Sequence, residues 1–128
     1  MTQFAYSRSS RQPFPQIELR LASTDSGRFF TGLMAKVDTG ADRTVIPQSV
    51  LDSLEIAVAG AQEFEGAHGT ISTLPLYYVE LTIEGFPAFK EIVAASDRED
   101  LILLGRDVLN LYRIVLDGPN GLLELSGI

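Results

Sequence analysis

One stretch constrains this chain more than any other: Ala35-Lys36-Val37-Asp38-Thr39-Gly40-Ala41-Asp42-Arg43-Thr44-Val45-Ile46-Pro47. An apolar strand ends in an acid, a hydroxyl and a glycine, and a second apolar segment follows at once. A carboxylate costs several kcal/mol to desolvate unless it is paired or hydrogen-bonded. An Asp driven between two apolar runs therefore either caps a turn or serves as a functional acid. Asp-Thr-Gly is good turn chemistry in its own right: Asp and Thr bond nearby backbone, and Gly supplies a positive φ. At average residue usage the tripeptide arises by chance in a chain of this length roughly one time in forty. Its weight comes from a second motif about 65 residues further on.

Composition removes several alternatives. The 128 residues fit one domain. A net charge of −7 with a pI near 4.5 argues against nucleic-acid binding, which calls for a basic stripe. The absence of cysteine excludes disulfides, thiolate metal sites and a Cys nucleophile. No apolar run approaches the ~20 residues of a membrane span. Arg8 and Arg11 have no apolar stretch behind them, so the N-terminus does not read as a secretory signal. A cytoplasmic protein, or an excised piece of a larger one, is the expectation.

Residues 1–15, rich in Ser, Arg, Gln and Pro, read as a flexible arm that Phe4, Tyr6 and Phe14 could pin to the body. The body is residues 16–128. Alternation predicts a strand over Gln16–Leu21, and the Thr24–Gly27 turn makes it a hairpin with a strand over Arg28–Val37 that delivers Asp38. Pro47–Leu54 is a short helix, opened by a proline suited to a first turn. Glu55–Phe64 is extended, and Ile71–Ile83 alternates, with glycines 66 and 69 between them at the tip of a long hairpin. Further strands are expected over Phe86–Ala95, Leu101–Leu104, Tyr112–Leu116 and Leu122–Leu125. A short helix is expected over Arg106–Leu111, with Asp107 near its N-terminus as the helix dipole prefers. About eight strands, one or two short helices and no βα alternation make the class mainly β.

Two segments now stand together: Val37-Asp38-Thr39-Gly40-Ala41-Asp42 with Thr44-Val45-Ile46, and Leu103-Leu104-Gly105-Arg106-Asp107-Val108-Leu109. The pair resembles the retroviral-type aspartic proteases, the retropepsins, in order and spacing from about Gln16 to Leu125. The resemblance implies a closed β-barrel in which one chain is half an enzyme. Two chains associate about a two-fold axis, and each contributes one catalytic aspartate, here Asp38. Two carboxylates that close cannot both ionise and hold one proton between them. The ionised member takes a proton from water as general base, and the protonated one donates to the scissile carbonyl.

By the same resemblance Thr39 locks the two loops together, Gly40 allows close approach of backbone and substrate, and Ala41 supports the loop. Asp42 and Arg106 pair within the subunit, since positions beside a catalytic turn and a buried strand are poor candidates for free solvent exposure. Phe64–Thr73 is the flap, with Gly66, Ala67, His68 and Gly69 at its tip. His68, the only histidine, reads as a solvated loop residue that could touch substrate.

The chain also departs from the family pattern. Lys36 stands where apolar residues are commoner, on the face opposite Val37. Arg43 suggests a preference for acidic substrate side chains. The ends do not match the short interleaved terminal strands of the viral dimers. The implied partners are a second copy and an extended peptide, with no cofactor and no metal, and activity is expected at acid to mildly acid pH. A competing reading is a binding or scaffolding module that keeps the fold without turnover.

Overall fold

The computed structural model describes residues 1–66 and 68–127. Alternating apolar residues drive β2 (Gln16–Ala22) against β3 (Phe29–Val37) as an antiparallel hairpin that buries Ile17, Leu19, Leu21, Ala35 and Val37. The buried Ser23 hydroxyl accepts the N–H groups of Asp25 and Ser26 and so closes the turn between them. The remaining elements are β4 (Val45–Pro47), α1 (Gln48–Ser53), β5 (Gly60–Glu65), β6 (Ile71–Thr82), β7 (Phe89–Ser96), β8 (Ile102–Leu104), α2 (Arg106–Leu109), β9 (Arg113–Asp117) and β10 (Leu122–Ser126), preceded by β1 (Thr2–Ala5).

The strand order β2-β3-β8-β4-β7-β6 closes on itself where Arg20–Ala22 pair with Glu80–Thr82, giving a six-strand barrel. Closure removes the free edges that an open sheet would expose. Among the described residues β5 pairs only with β6, and it extends the sheet beyond the barrel. Two parallel contacts, β3 with β8 and β4 with β7, make the sheet mixed. The interior is aliphatic: Ile17, Leu19, Leu21, Ile46, Leu81, Ile83 and Leu104 are fully buried. Each such side chain contributes about 1.5–3 kcal/mol relative to exposure. Leu51 and Leu54, in and just after α1, join this core.

A separate antiparallel sheet, β1-β10-β9, adds the buried Leu123 and Leu125 to the same core. The flexible arm expected over residues 1–15 is thus in part a strand. Thr2–Ala5 pair with Leu122–Leu125, and Phe4 and Tyr6 pack against the core. Among the described residues the strand total is ten rather than about eight, the additions being β1 and β4. The segment from Glu55 becomes a strand only at Gly60. β7 begins at Phe89 rather than Phe86, because Gly85 and Pro87 hold the chain in a turn and Phe86 packs edge-on to Tyr112, 5.0 Å between centroids. α2 ends at Leu109, two residues short of the expected span.

Candidate active site

Val37 is the last residue of β3 and pairs with Leu104, the last residue of β8. The two motifs therefore leave the barrel side by side. Asp38 N–H donates to the Leu104 carbonyl at 3.0 Å, and the Arg106 N–H donates to the Ala41 carbonyl at 2.8 Å. Gly105 makes this possible. A Cβ there would lie 2.7 Å from the Arg43 carbonyl carbon, so only glycine lets the segments pass. The Asp38 Oδ1 accepts the Gly40 N–H at 3.0 Å. Gly40 does not adopt the positive φ that turn chemistry suggested. Its proximity is what matters, for a Cβ would stand 3.3 Å from Asp38 Oδ1. Asp38 is half-buried, whereas Thr39 and Gly40 are exposed at the loop tip.

Beneath the loop lies a network that the sequence reading did not assign. Thr44 is fully buried, and its hydroxyl donates to Asp107 Oδ1 at 2.8 Å while accepting the Gly105 N–H at 3.1 Å. Asp107 also accepts the Thr44 N–H, 3.0 Å from each carboxylate oxygen, and the Val108 N–H at 3.0 Å. Asp107 is thus a clamp joining both motifs rather than only a helix-dipole partner. The signal was a threonine inside an apolar run, which needs a polar partner if buried. Glu91 of β7 hydrogen-bonds Asp107. Burial first, then that hydrogen bond and the charge of Asp107, push its carboxyl up to about 7, against a smaller downward pull from Arg43.

Arg106 reaches the other side of the loop. It donates to the Thr39 carbonyl at 2.8 Å and forms an ion pair with Asp42. The Asp42 side chain is 81% exposed, contrary to the expectation that this position avoids solvent. Exposed pairs of this kind contribute ~0–1 kcal/mol, so this one orients the loop more than it stabilises it. Arg43 is pinned: its Nε donates to Gln62 Oε1 at 2.8 Å and its Nη1 to the Ile92 carbonyl at 3.0 Å. Its guanidinium fastens the floor to β5 and β7 rather than standing free in the cleft. Lys36 sets its ammonium 4.6 Å from the Phe14 ring centroid, which ties the N-terminal segment to β3.

Asp38 opens into a cleft of about 920 Å³ between this floor and the β5–β6 hairpin. Gly40, Asp42 and Leu103 line it below, and Gln62, Phe64 and Gly66 line it on the hairpin side. Glu63, Glu65 and Arg98 add charged groups that the sequence reading did not single out. Two hollows elsewhere, near Gly32 and near Phe30, are smaller, at about 190 and 350 Å³, and neither reaches Asp38. Gly66, His68 and Gly69 lie exposed at the hairpin turn, where Gly69 takes φ +75° and Gly66 N–H donates to the Thr70 carbonyl at 2.7 Å. Ala67 lies outside the described residues. Among the described residues no group of three or more His, Asp or Glu could hold a metal ion, and no helix is long and apolar enough to cross a membrane.

A family model described as aspartyl protease matches residues 27–108, which run from the β2–β3 turn into α2 and include both motifs apart from Leu109. The chain belongs to the aspartyl protease family. Its fold is that of the retropepsins. A retropepsin-like aspartic protease from Rickettsia conorii superposes with a TM-score of 0.61 at 19% identity, over 96% of this chain and 98% of that one. The EIAV protease, solved with the inhibitor HBY-793, gives 0.61 at 20% identity over 84% and 92%. A foamy viral protease-reverse transcriptase gives 0.53 at 22% identity, covering 77% of this chain but 16% of the larger one. No curated protein shows significant sequence similarity to the chain. Within this aspartyl protease fold, Asp38, Thr39, Gly40, Ala41, Asp42 and Arg106 come together at one end of the barrel, and Gly66 of the hairpin turn stands across the cleft.

Proposed function

We propose that this protein is an aspartic endopeptidase that works as a homodimer, each chain supplying one Asp38. The observation that carries this reading is the setting of Asp38: a half-buried carboxylate, held by the Gly40 N–H, at the floor of a cleft roofed by a hairpin, on a loop whose tip is exposed. One such aspartate per chain is half of an acid–base pair. The exposed Thr39 and Gly40 leave the tip open for a second copy to meet.

In the dimer the two carboxylates share one proton and bind a water. The ionised member removes a proton from the water, and the protonated member donates to the carbonyl oxygen of the scissile bond. A gem-diol forms and collapses to the two products with no acyl-enzyme. Retaining the shared proton favours acid to mildly acid pH. The substrate is an extended peptide lying as an added strand between floor and hairpin. The β5–β6 hairpin acts as the flap that excludes water, and Leu103 and Phe64 favour apolar side chains near the cut.

Cleavage of a peptide library by the wild type, blocked by pepstatin, with Asp38→Asn reduced by about 10³-fold or more, is the expected result. Equal cleavage by both proteins would sink the reading and favour a module that binds without turnover.

A further inference from the structure

The clamp beneath the Asp38 loop is unevenly filled. Asp107 Oδ1 accepts from the Thr44 hydroxyl and from the Thr44 and Val108 N–H groups. Its Oδ2 takes only a share of the Thr44 N–H among those backbone and hydroxyl donors. The further partner of this carboxylate is Glu91, half-buried on β7. Two carboxyl groups hydrogen-bond to each other only through a proton that one of them keeps. Glu91 is the one that keeps it. Asp107 is surrounded by donors that favour its charge, whereas burial disfavours the charge of Glu91.

The neighbouring elements place Glu91 for this. The Ala94 N–H of β7 donates to the Thr44 carbonyl at 3.0 Å, which fastens the strand to the clamp. Across the ladder Glu91 stands opposite Val79 of β6, which brings no charge. From the segment before β4 comes Arg43. Its Nη1 donates to the carbonyl of Ile92, the residue after Glu91, and its Nε donates to Gln62 of β5. The charged groups that act on Glu91 are Asp107 of α2 and Arg43. With the proton in place, Arg43 binds two neutral oxygens and braces the hairpin strand β5 against the floor. Without it, a second negative charge stands beside Asp107 and competes with Gln62 for the guanidinium.

We propose that Glu91 is a positioning residue for the peptidase reaction: its protonated carboxyl holds Asp107, and through it the Asp38 loop, and keeps Arg43 on Gln62 below the roof. Floor and roof are then set by one proton, distinct from the proton shared between the two Asp38 side chains. This rests on the endopeptidase reading above and deepens it by naming a second group whose ionisation limits activity at high pH.

Burial and Asp107 hold the Glu91 carboxyl up at about 7, so its proton leaves as the pH passes through neutrality. Profiles of kcat/KM from about pH 5 to pH 8 for the wild type and Glu91→Gln test the role. The introduced amide donates to Asp107 at every pH. Both proteins keep Asp38, so the titration of the Asp38 pair cancels in the ratio of the two profiles. The ratio of wild type to variant should fall about tenfold between those limits, the loss expected one pH unit above the Glu91 midpoint. Protection of the Thr44 and Gly105 amides from hydrogen exchange should weaken over the same range in the wild type and not in the variant. A ratio that stays constant with pH, while cleavage persists and Asp38→Asn abolishes it, overturns the role of Glu91 and leaves the protease reading standing. Absence of cleavage by the wild type at every pH overturns both.

Discussion

The floor and the roof of the cleft are built in opposite ways. The floor is two segments, 65 residues apart in sequence, fused by the buried hydroxyl of Thr44, the carboxylate of Asp107 and the close passage of Gly105. Every polar group named there has a partner. The roof is the end of the β5–β6 hairpin, where, among the described residues, β5 pairs on one side only and Phe64 is the one partly buried apolar side chain beyond Gln62. Under the proposed function, a preorganised acid needs a floor that does not move and an extended substrate needs a roof that can lift, which is the division of labour this contrast would serve.

The largest stability effect expected from breaking this contrast is at Gly105. Gly105→Ala drives a methyl group into the backbone of Arg43, and neither segment can yield without disturbing Asp107. A loss of about 3 kcal/mol, read from the denaturation midpoint, is expected, with activity falling as the Asp38 loop shifts. A change within 0.5 kcal/mol would mean that the floor is softer than described.

A smaller effect concerns Glu91. Folded, it keeps its proton up to about pH 7; unfolded, it releases it near 4.5. The native state therefore holds the extra proton between those values, and this group's contribution to stability falls as pH rises through that window. Glu91→Gln should remove that slope and raise stability near neutrality by about 1 kcal/mol, a modest figure because the group is partly solvated. Melting curves from pH 4.5 to 7.5 check it. Parallel pH profiles for the two proteins would remove Glu91 from the network.

The smallest effect on stability is expected at the roof. Phe64→Ala should cost under about 1 kcal/mol, since the ring is only partly buried, yet raise KM for apolar peptides several-fold. The opposite pattern, a large loss of stability with KM unchanged, would make the hairpin part of the core.

What the sequence made legible follows the same division. Strands with sustained alternation, such as Gln16–Ala22 and Ile71–Thr82, were readable because their pattern is local. β1 was not, since four residues in a polar segment carry little periodicity and their partner, β10, lies about 120 residues away. β4 was hidden for a related reason. Its three residues pair with Ala94, Ala95 and Ser96, and Val45 also with Leu103, partners that no local pattern reveals. The acid at 38, the glycines around it and the Arg106–Asp42 contact were visible as motifs. The clamp beneath them was not, because Thr44 and Asp107 acquire their meaning only once β3 and β8 lie side by side. Arg43 was legible as a cation near the cleft but not as one already engaged by Gln62 and Ile92.

The central claim is that one active site is assembled from two chains, and subunit mixing tests it most directly. Wild-type protein and Asp38→Asn protein are combined in equal amounts, allowed to exchange, and assayed at fixed total concentration. If catalysis needs both carboxylates, only the pairs with two intact copies work, and activity should fall to about one quarter of the pure wild type. A fall to only about one half, as when each chain acts alone, would contradict it.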